Sequence, residues 1–445
     1  MDINQLKKMC LDEIDKNKET IINIGKYIYN NPELSYREFK ATDIAIKTLK
    51  YLGLKVEENI AVTGCKASIN EDKQGPKVAI LGELDALSCP EHKDAKEGGA
   101  IHCCGHNAQM AGMLGCAIGL VKSGVFKHLD GKIDFIAVPA EEGIELEYRK
   151  YLQDNKMITY VGGKQELIYK GYFDDVDMAM MFHLGSIKEN KKCIIKGKSN
   201  GFIEKGITFI GKSAHSGGAP HLGINAATMA NLAINNINAL RDTFKDEDTV
   251  RVHYIINHGG DAVNVVPNKV TMEAMVRANN AEAMIDANKK FNRALQAAAL
   301  AIGGKVIIED FIGYLSLETD DKMNSLFKNN LINFLNIKEE EIIDLNKGGG
   351  STDMGDLSQI MPCIHPYMMG ATGDFHTKDY TMVDEEMGYI NSAKAMALTL
   401  IDLLYDNAKN GKDVLNNFKP KYTIKQYLKF LEDNNITHTY NYIEN

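Results

Sequence analysis

The sequence predicts an α/β protein into which a smaller α+β domain is inserted, and three observations carry that reading. The apolar runs Lys77–Gly82, Ile133–Val138 and Val176–Phe182 each end in polar, chemically equipped residues. That is the pattern of buried strands whose carboxyl ends border a site. Residues 195–308 read in the order β-α-β-β-α-β, the split βαβ pattern of a ferredoxin-like sandwich. A chain of 445 residues also exceeds one ordinary core. The expected layout is a discontinuous larger domain over 1–194 and 309–410, an inserted domain over 195–308, and a C-terminal extension over 411–445 with one short helix.

In chain order, residues 3 to about 30 have the spacing of one amphipathic helix, ended by Asn31-Pro32. Ser35 followed by Glu38 reads as a capping box for a second helix that stops at Gly53. The strand ending at Gly82 runs into Glu83-Leu84-Asp85, the next into Glu141-Glu142, and the third into His183. Between the first two lies His102-Cys103-Cys104-Gly105-His106, followed by a helix to about Ser123. In the inserted domain, helices are expected over 223–243 and 281–302, the latter stopped by Gly303-Gly304. Further on come a glycine-rich loop from Lys347 to Asp353, a loop carrying His376, a helix over 384–406 and a short amphipathic helix around Ile424–Leu431. Gly348–Gly350 lacks the lysine of a phosphate-binding loop and reads as a pocket lining.

Composition excludes several function classes. Net charge is −9 with both signs interspersed, which disfavours nucleic acid and anionic membrane as partners. No apolar run reaches the ~18 residues of a spanning helix, and the charged N-terminus lacks the core of a secretion signal. The eight cysteines show no disulfide framework, so a reducing cytoplasm is expected.

Cys104, His106, Glu142, His183 and His376 offer one thiolate, one carboxylate and three imidazoles, the donors that a borderline divalent metal takes. Five protein ligands are too many for one catalytic zinc with an open position, so two metals sharing a ligand is the economical reading. Glu141, beside Glu142, is then a natural general base that moves a proton from water to a leaving amine. Glu83 and Asp85 suit a supporting place behind Cys104 or His106. The thiolate favours zinc, while the other donors leave manganese, cobalt or nickel open. His102 and Cys103 are read as structural, and His92, His128, His221, His253, His258, His365 and His438 as surface or satisfied-core residues.

The motifs NPELSYREF, GELDAL, HCCGHN, PAEEG, FHLG, GKSAHS, AVNVVPNKV, VRA, GGGSTDMGDLS and DFHTKDY occur in the order seen in one family. Over residues 15 to about 405 the chain resembles the aminoacylase and carboxypeptidase G superfamily of dinuclear metallopeptidases, peptidase family M20. Within it, the aminobenzoyl-glutamate hydrolase and dipeptidase-like amidohydrolases are the nearest subgroup. The resemblance implies a zinc-peptidase-like catalytic domain, a mixed sheet between helices, with an inserted lid that also forms a homodimer or higher homo-oligomer. It implies Cys104 as bridging ligand with His106, Glu142, His183 and His376, and Glu141 as base. It further implies that His215 reaches a neighbouring subunit's site to stabilise the oxyanion, and that Asn264 and Arg277 hold a substrate carboxylate. The chain departs from many relatives at Asn107, where they have Asp, at Ser88, where they often have Pro, and at Cys103, where they have a small residue. The expected substrate is small: an N-acyl amino acid, an aminobenzoyl-glutamate-like conjugate or a dipeptide. A non-catalytic metal- or ligand-binding descendant of the scaffold is the alternative.

Overall fold

The computed structural model describes residues 1–143, 145–345 and 348–444, so Lys347 of the glycine-rich loop lies outside the described residues. The chain divides into two compact units. The first comprises Met1–Lys198, Glu318–Gly348 and Asp356–Ile424; the second comprises Ser199–Leu317, Gly349–Gly355 and the tail from Lys425 onward. A boundary at 308 would cut the strand Lys305–Ile312, which explains why the inserted unit runs on to Leu317. Among the described residues no helix is long and apolar enough to cross a membrane.

The first unit opens with helices α1 (Ile3–Lys16), α2 (Lys18–Asn30) and α3 (Phe39–Tyr51). The expected single helix over 3–30 is broken at Asn17, whose backbone leaves the helical region at φ −101°, ψ 13°. Its side-chain amide donates to the Glu13 carbonyl at 2.8 Å, the local competition that makes asparagine a poor helix-interior residue. Ser35 does not cap α3. Glu38 holds that position, and the Ser35 hydroxyl is spent on Asp85 instead, 2.8 Å away.

Strands β1 (Val56–Ile60), β2 (Gly64–Ile69), β3 (Lys77–Glu83), β4 (Lys132–Val138) and β5 (Met178–Met180) build a mixed sheet in the order β1-β2-β4-β3-β5, with Cys363–Ile364 at the far edge. β4, β3 and β5 are parallel, and β1 and β2 are antiparallel additions. Every residue of β3 is buried, as the continuous apolar run requires of a central parallel strand. Parallel pairing also puts the carboxyl ends of β3, β4 and β5 on one edge. Helix α4 (His106–Ser123) follows the cysteine cluster and is buried from His106 to Leu120. Its small residues permit that depth: a Cβ on Gly115 would lie 2.8 Å from the Ala393 Cβ on the helix Ser392–Asn417.

The second unit is a ferredoxin-like sandwich. Strands β6 (Gly201–Ile210), β7 (Arg251–His258), β8 (Lys269–Ala278) and β9 (Lys305–Ile312), with helices α5 (Ala226–Ala239) and α6 (Ala281–Ile302), follow the expected order. Its antiparallel sheet runs β7-β8-β6-β9, and a fifth strand, β10 (Thr437–Asn441), pairs with β9. The tail is therefore not a separate extension; it completes the inserted unit's sheet. Nothing in THTYN announced this, because a short polar strand has no apolar periodicity to read.

Beneath α6, Lys205 of β6 faces Asp310 of β9 in register, and both are buried. The lysine donates to the aspartate and to the Asn288 side-chain amide oxygen, the latter at 2.6 Å. Asn288 and Asn292 donate to the other Asp310 oxygen at 2.8 and 2.7 Å. Burial pulls the Lys205 ammonium down to about 8 against the opposing pull of Asp310. Breaking such a pair strands a buried charge, so Asp310→Ala should destabilise the protein by roughly 3–5 kcal/mol in urea unfolding, and the Lys205→Met, Asp310→Leu double variant should recover most of it. Equal loss in the single and double variants would count against this account.

Candidate functional site

The first unit's strand ends deliver the donors. β3 passes into Glu83 and Asp85, β4 into Pro139-Ala140-Glu141-Glu142, and β5 into His183. His106 is the first residue of α4, and His376 comes in on a loop whose backbone N–H donates to the Cys103 carbonyl at 3.0 Å. Three backbone positions around the site are left-handed: Gly105 at φ +87°, Ala140 at +54° and His376 at +61°. Non-glycine residues pay of order 1–3 kcal/mol for such a conformation, which persists where the surroundings over-determine it. At Gly105 glycine is required outright, since a Cβ would meet the Leu184 Cβ and the Tyr380 hydroxyl at 2.7 Å.

The five expected donors converge. The Cys104 sulfur lies 3.5 Å from His183 Nε2 and 3.3 Å from His376 Nε2. His376 Nε2 is 3.4 Å from a Glu142 oxygen, and that oxygen is 3.9 Å from His106 Nε2. They sort into two triads of metal-ligating atoms, Cys104 with His106 and His183, and Cys104 with Glu142 and His376, each within 4.8 Å. Cys104 is the member common to both. Glu141 lies 3.8 Å from His106 Nε2 and is also grouped with Glu83 and His106.

Behind these atoms, Asp85 orients them. Its carbonyl is 2.8 Å and its carboxylate 3.3 Å from His106 Nδ1, so that nitrogen carries a proton and Nε2 is the ring atom turned into the site. Asp85 Oδ2 accepts the Glu142 backbone N–H and the Ser35 hydroxyl, both at 2.8 Å. His183 Nδ1 meets the Leu184 carbonyl at 3.1 Å, which frees its Nε2 in the same way. Glu83 sits 3.1 Å from His106 Nε2, on the donor side, where Lys164 at 2.6 Å neutralises it and the Gln109 amide donates to it at 2.8 Å.

Several residues here escaped the sequence. Arg149, buried, bonds the Ser35 hydroxyl at 2.9 Å and the Glu142 carbonyl, and Lys164 is wholly buried. Both lie in a run that reads as polar surface, so no periodicity marked them. His365 is neither at the surface nor satisfied: it is buried with its ring 5.6 Å from that of His183, and neither ring nitrogen has a hydrogen-bond partner among the described residues. His102 is buried in the same unpartnered state, and Cys103 lies in the hydrophobic core. Asn107 turns away from the donors to the Tyr389 hydroxyl at 3.1 Å and the Gly25 carbonyl at 3.3 Å.

The electrostatics invite cations. Burial, then the Glu142 charge, push the Cys104 thiol well up, so without a cation it keeps its proton. Burial also raises Glu142 and takes His183 down to about 4 and His365 to about 3. Burial opposes protonation of His106 too, but Glu83 and Asp85 outweigh it and hold the imidazole well above its usual range. His106 Nε2 and Glu142 Oε1 are buried and make no hydrogen bond of ordinary geometry among the described residues; Glu83, 3.1 Å from that nitrogen, favours a positive charge there, which a bound cation would supply in place of the proton. Donor chemistry, convergence and these orphaned atoms all fit divalent metal.

In the second unit, His215 bridges to Val265, and Ser216 N–H donates to the Asn264 carbonyl at 3.1 Å, so the motifs carrying His215 and Asn264 lie side by side. His215 Nδ1 accepts the Gly217 and Gly218 N–H groups at 3.2 and 3.0 Å, which leaves Nε2 as the proton-bearing donor. Arg277 is half-buried near the other end of β8, donating to the Ser351 hydroxyl at 3.1 Å and stacked 5.4 Å over Phe202. Asn264 precedes the start of β8, so about 25 Å of strand separates it from Arg277. The structure does not bring these two together within one chain.

Comparison with known proteins adds three kinds of likeness. A family model described as a peptidase dimerisation domain matches residues 198–302. The chain is 28% identical to the Xaa-Arg dipeptidase of Mus musculus over 96% of this chain and 95% of that one. It is 30% identical to thermostable carboxypeptidase 2 of Saccharolobus solfataricus over 62% of this chain and 67% of the relative. Its fold matches that of a dinuclear metal-binding M20-family peptidase of Bacillus subtilis with a TM-score of 0.64 at 20% identity, covering 87% and 98% of the two chains.

Removing the carboxylate that orients His106 and Glu142 should loosen the donors without removing one. Asp85→Ala is expected to lower metal affinity by about 10–100-fold, read by competition with a chelator. Unchanged affinity in a folded variant would show that Asp85 does not position them.

Proposed function

This chain belongs to the M20 peptidase family and is a metal-dependent amidohydrolase, and from that premise we propose that it hydrolyses the amide of an N-acyl amino acid, an aminobenzoyl-glutamate-like conjugate or a dipeptide bearing a free carboxylate. The observation that carries the reading is the pair of donor triads sharing Cys104, with Glu141 against them. Cys104, His106 and His183 would hold one ion and Cys104, Glu142 and His376 the other. Bound divalent ions supply Lewis acidity, polarising a carbonyl oxygen and easing deprotonation of water. The thiolate donor favours zinc.

Glu141 takes the proton of the attacking water and returns it to the leaving amine. Asp85 and the Leu184 carbonyl hold the two buried imidazoles in the tautomer that faces the donors. His215, with its proton on Nε2, donates to the oxygen on which charge develops. The separation of Asn264 and Arg277 supports a shared arrangement, in which one copy contributes His215 and Asn264 and the other contributes Arg277 to the same substrate. A dimerisation-domain match and the outer edge of β7, unpaired among the described residues and with Ile255 and Ile256 59% and 51% exposed, support such an assembly. That all eight cysteines are free supports a reducing compartment.

Glu141→Ala should retain its metal, measured by elemental analysis, while kcat falls about 10²–10⁴-fold on a panel of N-acyl amino acids and dipeptides. Chelator should abolish wild-type turnover. Retained turnover in the variant would remove Glu141 as the base, and no chelator-sensitive product from any substrate would favour a non-catalytic binder. For the shared site, mixing inactive Glu141→Ala and His215→Ala proteins should restore activity through hybrid dimers. Failure to complement, with dimers present by light scattering, would place His215 on its own chain's substrate.

A further inference from the structure

One polar group beside the metal donors has no task in the reaction proposed for them. The strand Tyr367–Thr372 runs parallel to His183–Ser186, with Tyr367 directly opposite His183, so the two side chains stand on the same face. The His183 N–H donates to the Pro366 carbonyl at 2.8 Å, which anchors this register. The rings lie side by side, 5.1 Å between centres and tilted by 36°. A phenol is longer than an imidazole, so the Tyr367 hydroxyl reaches past His183 Nε2, the atom that meets the Cys104 sulfur. His365 and Phe375, with ring centres 5.8 and 6.3 Å from that of Tyr367, limit its freedom to turn away.

The Tyr367 side chain is only partly exposed, yet its hydroxyl makes no hydrogen bond among the described residues and is not sealed from solvent. A phenol carries its proton at neutral pH. Burial, then the charges of Cys104, Glu141 and Glu83, push its ionisation further out of reach. Those three groups are all parts of the donor cluster, so the phenol shares their space. Water can meet such a hydroxyl in the free protein, and a bound substrate displaces that water.

We propose that Tyr367 is a catalytic donor to the scissile carbonyl: its hydroxyl hydrogen-bonds the carbonyl oxygen, and that bond strengthens as negative charge develops there. This rests on the amide hydrolysis proposed above and adds a donor beside His215. The choice of oxygen follows from what each reacting atom needs. The attacking water must lose a proton, which takes an acceptor, and Glu141 is one. The carbonyl oxygen gains negative charge, which takes a donor, and a protonated phenol is one.

Tyr367→Phe removes the hydroxyl and keeps the ring that packs on His183. On a substrate that the wild type turns over, kcat should fall about 10–100-fold with KM nearly unchanged, because the bond matters mainly in the transition state. Calorimetry gives a readout that needs no turnover. A phosphinic dipeptide analogue, whose tetrahedral phosphorus carries the charged oxygen, should bind the variant about 10–100-fold more weakly, while the product amino acid binds both proteins alike. Bound metal by elemental analysis and Tm should match the wild type. The proposal is overturned if kcat is unchanged, if only KM rises, or if the analogue binds both proteins equally. Loss of metal or of Tm in the variant would make Tyr367 a structural residue and overturn it too. A wild type that neither turns over any amide nor binds the analogue would instead remove the hydrolytic reading itself, and the role of Tyr367 with it.

Discussion

One buried carboxylate ties the first unit's chemistry together. Asp85, at the end of β3, simultaneously faces the His106 ring, accepts the Glu142 backbone N–H and accepts the Ser35 hydroxyl. These groups come from the start of α4, the end of β4 and the turn before α3. Arg149 closes the arrangement from outside by donating to Ser35 and to the Glu142 carbonyl. A charged oxygen held by several donors at full burial is stable only when each bond is made, so the network behaves as a unit. The direction in which His106 and Glu142 present their free atoms follows from it.

That convergence has a cost in local conformation, met by packing. The left-handed backbone at Gly105, Ala140 and His376 lets three segments turn sharply where they meet. α4 lies deep enough to bring His106 to the strand ends because Gly112 and Gly115 leave room for Phe182, Ala393 and Ile21. The excess of acids over bases around Cys104 is then an electrostatic consequence of the geometry, and it is the condition under which bound cations stabilise the site.

The second unit solves a different problem. A four-stranded sheet with two free edges invites pairing on either side. Here β10 occupies the β9 edge and leaves β7 as the open one. The buried Lys205–Asp310 pair lies across β6 and β9, next to the strand that the tail joins. One short polar strand thus decides which edge is available for assembly.

Much of this was legible in the residues. Central strands buried on both faces must be apolar throughout, so β3, β4 and β5 announced themselves, as did Gly53 and Gly303 at helix ends. Residue types at the strand ends named Cys104, His106, Glu142, His183 and His376 as donors, because few side chains offer soft or borderline lone pairs. Sequence could not distinguish a lysine that solvates a surface from Lys164, which neutralises a buried Glu83, since both sit in polar runs. Nor could it see that Ser35 serves Asp85 rather than a helix end, that THTYN is a strand, or that Asn264 and Arg277 lie far apart on one chain. Those outcomes depend on sheet register and on partners far along the chain, 50 residues for Ser35 and Asp85 and 81 for Lys164 and Glu83, where local periodicity carries no information. The chain's own order of residues specifies which chemistry is possible; long-range pairing selects which atoms perform it.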